Sequence, residues 1–193
     1  MPGVLIKSIN YFERREVKIN ICIMKTYFTC LAILLLCLFC SCSTSNIYFV
    51  RHAEKESVAD NPHLTAAGRS RAIALCDSML NKNLAFVFST DSNRTIETAQ
   101  PTATRLRLNI TRYSNNQLQA FEEILKNTSR STLVVGHSNT LLPIIHAFGL
   151  TTSMNNISDS DFDNMFIVTR RKNWDGSLSY QLRETHYGVF TAP

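Results

Sequence analysis

Two arginines and two histidines stand directly after predicted buried strands, and side chains of these types could together bind a phosphate. The segment NIYFVRHAEK runs from four apolar or aromatic residues into Arg51 and His52. Arg94 follows the strand-like segment LAFVFST, and His137 ends the segment STLVVGH. Guanidinium groups bind phosphate oxygens through paired N–H donors, and a neutral imidazole is a nucleophile near pH 7. The four residues therefore predict an anion site that contains a candidate nucleophile.

Each of these residues also has an ordinary structural interpretation. A strand can simply reach the surface at Arg51, a solitary Arg94 is typical of a solvated helix residue, and a solitary His137 can be satisfied by backbone at a strand end. A metal site is disfavoured because guanidinium groups repel a divalent cation and no carboxylates are interleaved with them. Their common position beyond strand ends is what favours a phosphate site.

Hydrophobic periodicity predicts the elements that must bring these residues together. Segments with helical spacing, the first capped by Thr65, alternate with short apolar segments typical of buried strands. The second helix is expected to be interrupted or kinked by Pro101. Two last strand-like segments flank the turn signal NWDG and predict a hairpin at the sheet edge. The pattern predicts a three-layer α/β/α sandwich with a mainly parallel sheet and a C-terminal edge hairpin.

The distribution of charge argues against nucleic acid as a partner. The 193 residues carry a net charge of +5, but residues 1–42 hold five Lys or Arg against two Asp or Glu. Residues 43–193 hold fifteen against thirteen, so this part is near neutral, and it contains no basic run. We expect residues 43–193 to form one compact domain of common size that does not bind nucleic acid.

The first 42 residues predict export. Residues 24–42 begin with Met and Lys, continue through an apolar run shorter than the roughly 20 residues of a membrane span, and end in small polar residues. The segment LFCSC resembles the lipobox of bacterial lipoproteins, in which Cys42 would be acylated and become the mature N-terminus. A cleaved signal without lipid and an uncleaved anchor are the alternatives. Residues 1–23 fit none of these patterns, so translation is expected to begin at Met24. The predicted location is the periplasmic face of a bacterial membrane.

The motifs of the predicted domain resemble those of the histidine phosphatase superfamily, also called phosphoglycerate-mutase-like. The resemblance covers residues 46–150 and rests on VRHAE, LTAAGRSRA, STDSNRTIETA and VVGHSN. These segments resemble the family's arginine-histidine motif, its helix-opening motif, its second-arginine motif and its second histidine. Ala53 stands where glycine is usual, and Asn93 and Glu97 replace commoner residues, while Arg94 and Thr98 stay in register.

The resemblance implies a role for each candidate residue. His52 is expected to take the phosphoryl group, while Arg51, Arg94 and His137 hold its three non-bridging oxygens. Positive donors stabilise the charge on these oxygens during transfer, and water would then hydrolyse the phosphohistidine. No metal or other cofactor is expected. The expected substrate is a phosphorylated small molecule or a phosphoprotein.

The general acid that would protonate the leaving oxygen has weaker support. Most family members use Glu or Asp, and the candidates here are Glu122, Glu123 and Asp60. Glu122 lies about as far beyond Arg94 as the acid of the mutase branch does, although a solvated helix carboxylate is the simpler interpretation. HSN also stands in place of the HD pair that resembles a phytase acid, and the large insertions of mutases and phytases are missing. These features favour phosphoesters with good leaving groups, or phosphoramidates.

The sequence therefore predicts an exported, metal-independent phosphatase that acts through a phosphohistidine. A noncatalytic phosphate-binding lipoprotein, which keeps the pocket without turnover, is the alternative of a different class. A phosphomutase is disfavoured because exported enzymes rarely meet glycolytic phosphates. His63, His146 and His186 are expected to be structural, since they lie in a loop, on an apolar helix and at the end of the hairpin.

Overall fold

The computed structural model describes residues 24, 25, 27, 29, 43–57 and 60–191. The chain divides into two compact units, Met1–Ser41 and Cys42–Pro193. In the first unit the described residues 24, 25, 27 and 29 are helical. Most of the predicted leader, including the lipidation site Cys42, lies outside the described residues, so export and lipidation stay predictions. None of the helices in the described part of the chain has the length and apolarity needed to cross a membrane.

The second unit alternates strands and helices. Its strands are β1 Thr44–Arg51, β2 Phe86–Thr90, β3 Ile110–Tyr113, β4 Thr132–Gly136, β5 Asn164–Lys172 and β6 Leu178–His186. Its helices are α1 Ala66–Met79, α2 Asn93–Leu106, α3 Leu118–Asn127 and α4 Ser138–His146, with a 3-10 turn at Asn115–Gln117 before α3.

The strands form one six-stranded sheet in the order β3-β2-β4-β1-β5-β6. The pairs β2–β3, β2–β4 and β1–β4 are parallel, whereas β5 runs antiparallel to both β1 and β6. The predicted α/β fold, with a mainly parallel sheet and a hairpin at one edge, is confirmed. Because β1 and β4 are adjacent central strands, the residues that follow them lie side by side at the carboxyl edge.

Hydrophobic clusters on the two faces of the sheet define three layers. On one face Phe49 packs among apolar residues of α3 and α4, and on the other Val50 packs among those of α1 and α2. Burial of an aliphatic or aromatic side chain of this size contributes about 1.5–3 kcal/mol. All buried members of these clusters lie between Ile47 and Tyr187. Among the described residues, the second unit therefore contains a hydrophobic core of its own.

The start of α1 is fixed by Thr65 and Gly68. Thr65 accepts a hydrogen bond from the Gly68 N–H at 3.1 Å, which confirms the predicted cap. A Cβ on Gly68 would lie 2.2 Å from the backbone oxygen of Glu54, so only glycine allows this approach. Arg71 of α1 also donates to the Glu54 carboxylate at 2.8 and 2.9 Å. The charged segment after β1 is thus held against α1.

Helix α2 continues through Pro101, so the predicted interruption is wrong, while the alternative of a kink stays a prediction. Proline removes one backbone hydrogen bond and crowds the carbonyl four residues earlier. Thr98, Ala99, Thr102 and Ala103 are nevertheless all buried on this helix. Packing of that face against α1 and the sheet outweighs the local cost, because tertiary contacts commonly override intrinsic propensity.

Candidate active site

The segment after β1 is held to the neighbouring elements by backbone hydrogen bonds. Arg51 pairs in register with Gly136 of β4, and the His52 N–H donates to the Gly136 carbonyl at 3.0 Å. The Ala53 N–H donates to Thr98 Oγ1 of α2 at 2.9 Å. A Cβ on Gly136 would lie 2.6 Å from a buried tyrosine hydroxyl, so glycine leaves the space that this arrangement needs. Strand register therefore fixes the position of His52.

The second histidine and the second arginine lie beside His52. The rings of His52 and His137 have centroids 5.5 Å apart in an edge-to-face arrangement. His137 Nδ1 lies 3.4 Å from Arg94 Nη2, and His137 Nε2 lies 2.9 Å from Thr90 Oγ1. The Nε–H groups of Arg51 and Arg94 are buried and have no partner among the described residues. Unsatisfied buried donors are costly, so these two groups fit an anionic guest.

A loop before β5 covers the guanidinium of Arg51. Nη1 donates to the carbonyls of Ser158 at 2.5 Å and Asp161 at 3.2 Å, and Nη2 donates to Asp159 Oδ1 at 3.2 Å. The ring of Phe162 lies 4.6 Å from the Arg51 carbon Cζ. The Asp159 side chain is fully exposed, so this ion pair is weak and a dianion can displace it at small cost. The loop thus orients Arg51, which is buried.

Both histidines are neutral in the free site. Burial, followed by the charge of Arg51, lowers the pKa of His52 to about 3. Burial, followed by the charges of Arg94 and Arg51, lowers the pKa of His137 to about 4. The Ala53 carbonyl, 2.8 Å from His52 Nδ1, can only accept, so Nδ1 holds the proton and Nε2 holds the lone pair. His52 is therefore arranged as a nucleophile through Nε2.

We expect a dianion to bind more tightly as the pH falls. A dianion near His137 raises the pKa of this histidine above the value of about 4 in the free site. At a pH between the pKa of the free site and the pKa of the occupied site, His137 therefore takes up a proton when the dianion binds. Affinity is then lost as pH rises through this window, by at most about tenfold per pH unit for one proton. Titration calorimetry with sulfate at pH 5 and pH 7, in buffers of different ionisation enthalpy, measures the affinity and the number of protons taken up. In His137→Asn, equal pH dependence to the native protein would contradict the assignment to His137.

A cavity of about 900 Å³ opens from Arg94 and His137. Its further lining comes from the loop after β1, the segment between β3 and α3, and the first half of α3. Of the three candidate acids, Asp60 lines this cavity, whereas Glu122 and Glu123 of α3 do not. The part of Glu122 as general acid stays a prediction.

The remaining histidines lie elsewhere. His63 is exposed and bonded to Glu97, His146 is exposed at the end of α4 beside Thr152, and His186 pairs with Asp163 at 3.2 Å. Sequence reasoning missed the part of Thr90, which bonds His137, although its place at the end of β2 was a usable signal. It also missed Phe162, for which the sequence offers no periodic or motif signal.

Comparisons with known proteins agree with this fold. The family profile described as histidine phosphatase superfamily (branch 1) matches residues 47–115. A mycobacterial glucosyl-3-phosphoglycerate phosphatase has a similar structure, with 10% identity, a TM-score of 0.57, and coverage of 75% of this chain and 100% of its own. The protein histidine phosphatase SixA bound to tungstate has 14% identity, a TM-score of 0.53, and coverage of 73% of this chain and 96% of its own.

No curated protein matches the chain significantly in sequence. The structural similarities, at these identities, are similarities of fold. The profile match contains the first arginine-histidine motif and the second-arginine motif, and the structure places their residues beside His137 at one sheet edge. Over residues 47–115 the chain is thus similar to the histidine phosphatase superfamily (branch 1), and its fold is similar to that of solved phosphatases.

Proposed function

We propose that the protein is an exported, metal-independent phosphatase that hydrolyses a phosphomonoester or a phosphoramidate through a phosphohistidine on His52. The observation that supports this most directly is the state of the His52 ring. It is neutral, its pKa is lowered to about 3, and its Nδ1 proton is bonded to a carbonyl, so Nε2 carries the lone pair that a nucleophile needs. The unpartnered donors of Arg51 and Arg94 lie at the same edge.

The proposed reaction has two transfers at phosphorus. His52 Nε2 forms a bond to phosphorus while the bond to the leaving oxygen or nitrogen breaks, and the electron pair leaves with that group. Arg51, Arg94 and His137 donate to the equatorial oxygens, where charge is spread in the transition state. Water then attacks the phosphohistidine, which releases inorganic phosphate and restores neutral His52. Asp60 is the candidate that would protonate the leaving group, because it lines the cavity.

The cavity favours a small phosphorylated molecule over a phosphoprotein. Its volume of about 900 Å³ lies within the range of small-molecule sites. Much of its lining is hydroxyl and amide side chains, namely Asn61, Thr90, Ser92, Thr111, Ser114, Asn115, Asn116 and Gln117. Such groups pair with hydroxyls of a polar leaving group. One of the similar structures is a glucosyl-3-phosphoglycerate phosphatase, which is consistent with a substrate of this size.

We expect labelled phosphate to be trapped on the native protein by acid-free quenching during turnover. A phosphohistidine is stable to base and labile to acid, so mapping the label to the peptide with His52 tests the covalent step. Inorganic phosphate should be released in the same reaction. A noncatalytic phosphate-binding lipoprotein would bind phosphate without a covalent label, and a phosphomutase would move the group to another hydroxyl without releasing it. A screen of phosphorylated compounds against the purified domain would then identify the substrate class.

We expect the mature protein to begin at Cys42 and to carry acyl chains. The proposal rests on the leader, in which Met24 and Lys25 precede a short apolar run and LFCSC resembles a lipobox. Mass spectrometry of protein extracted from membranes measures the N-terminus and the acyl mass together. Cys42→Ser should abolish the added mass. An unmodified chain that begins at Met1 would contradict both export and lipidation.

A further inference from the structure

A second pocket lies at the amino edge of the sheet, opposite the proposed active site. Its volume is about 530 Å³, and its lining includes Thr44, Ser45, Lys82, Arg130 and Arg183. The eight residues of β1 separate the two edges of the sheet by about 23 Å, at roughly 3.3 Å per residue step. This pocket is therefore distinct from the cavity beside Arg94.

The lining of this pocket is positively charged. Among the described residues it contains Lys82, Arg130 and Arg183 and no Asp, Glu or His. None of the three forms an ion pair with a described residue. Ser45, which also lines the pocket, is 4% exposed, and its hydroxyl has no hydrogen-bond partner among the described residues. Three unpaired cations and an unused hydroxyl fit a phosphate group.

The turn between β5 and β6 adds an aromatic side chain at the same edge. Thr44 pairs with Arg171, and the Lys172 N–H donates to the Ser43 carbonyl at 3.1 Å, so the turn that follows lies beside the start of β1. Trp174 in this turn is 84% exposed. Tryptophan is favoured at membrane interfaces, where its ring meets the headgroup region. The turn contains one carboxylate, Asp175, and it follows two exposed cations, Arg171 and Lys172.

We propose that this edge docks on an anionic phospholipid surface, with Trp174 in the headgroup region and a lipid phosphate in the pocket of Lys82, Arg130 and Arg183. The chain connects to its leader at this edge, since Cys42 directly precedes Ser43. An anchor at Cys42 would hold the pocket near the bilayer and keep the opposite edge, with His52, directed to solvent. Clustered basic residues beside a membrane attachment are attracted to anionic lipids.

Trp174 makes the test direct, because it is the single tryptophan of the chain. Residues 43–193, which belong to one compact unit, are mixed with vesicles of phosphatidylcholine alone or with about 30% phosphatidylglycerol. The two compositions differ in surface charge, so the comparison isolates the attraction to anionic lipid. We expect a blue shift of Trp174 emission, and quenching by brominated lipid, with the anionic vesicles alone. No shift with anionic vesicles, or an equal shift with neutral ones, would overturn the proposal.

Two double variants distinguish binding of lipid in this pocket from a general effect of the protein's positive charge. Arg130→Gln with Arg183→Gln should weaken vesicle binding by about 25-fold, at about fivefold per basic residue. Lys55→Gln with Arg69→Gln removes the same charge from exposed positions after β1 and at the start of α1, outside this pocket, and should change binding little. Equal loss in both pairs would refute a specific pocket. A soluble-anion site would instead bind inorganic phosphate at this pocket without any vesicle shift, and that result would also refute the proposal. Phosphatase activity in solution should persist in Arg130→Gln with Arg183→Gln, so failure here is distinguishable from failure of the proposed reaction.

Discussion

Replacing His52 with alanine is expected to lower kcat/KM by roughly 10⁴-fold or more, the scale at which loss of a covalent nucleophile acts in other enzymes. The reason is that Nε2 of this ring holds the one lone pair that the register of β1 and the Ala53 carbonyl fix at the site edge. Arg51 and Arg94 are cations without a free lone pair, and His137 is expected to take up a proton when the dianion binds, so none of the three can replace His52 as nucleophile. Steady-state kinetics with an activated phosphoester measures the loss, and labelled phosphate should no longer be trapped.

The matched controls for this variant are His146→Ala and His186→Ala. His146 lies at the far end of the helix that begins after His137, and His186 lies on the edge hairpin, so neither contacts the reacting atoms. Both should keep most of the activity. Circular dichroism and thermal unfolding should show that all three proteins are folded. Equal loss of activity in the three folded variants would remove the special role of His52.

The sequence predicted the fold well because its local signals agree with the tertiary structure. Short apolar segments became central strands, Thr65 capped α1, and the turn signal NWDG joined β5 to β6. Pro101 was the exception, since a local rule predicted a break that packing of the buried face of α2 overrides. Hydrophobic periodicity indicates which face of a helix or strand is buried, and at Pro101 the burial of that face outweighs the local preference of proline.

The grouping of Arg51, His52, Arg94 and His137 was also predictable, because each residue lies at or shortly after the carboxyl end of a strand, and these strand ends meet at one edge of the sheet. Contacts made across long sequence separations were not. The bond from Arg51 to the Ser158 carbonyl spans 107 residues, and the accepting atom is backbone, so no side-chain pattern marks it. The same applies to the neutral state of the histidines, which depends on burial in the folded protein.

The electrostatics of the site explain why the histidines and arginines must act together. Burial lowers the pKa of Arg94 and of both histidines, so desolvation opposes charge at each of these positions. An arginine stays protonated despite such a shift, because its ordinary pKa is far above neutral pH. The free site therefore holds two permanent cations beside two neutral rings. An arriving dianion is attracted by the arginines, and His137 can add a third charge, while His52 stays neutral to react.

Changing Arg94 to lysine is expected to lower kcat/KM by about 10²–10³-fold, although the positive charge is kept, a loss comparable to removal of a preorganised transition-state donor. Arg94 presents an unpartnered buried Nε–H and an Nη2 that lies 3.4 Å from His137 Nδ1. A planar guanidinium can donate through both nitrogens to two phosphate oxygens, whereas an ammonium is a point charge on a flexible stem. The loss should fall mainly on kcat, because the geometry matters most for charge that develops during transfer.

The matched control is Arg105→Lys, on the exposed last turn of the same helix, which should leave kcat and KM near native values. Vanadate should compete with substrate in the native enzyme and bind more weakly to Arg94→Lys, because the same donors hold the equatorial oxygens. Full activity in Arg94→Lys would show that Arg94 acts only through its positive charge and not through the geometry of its guanidinium. Loss of native activity in EDTA, restored by a divalent metal, would contradict a mechanism in which Arg51, Arg94 and His137 neutralise the transferring group without a metal ion.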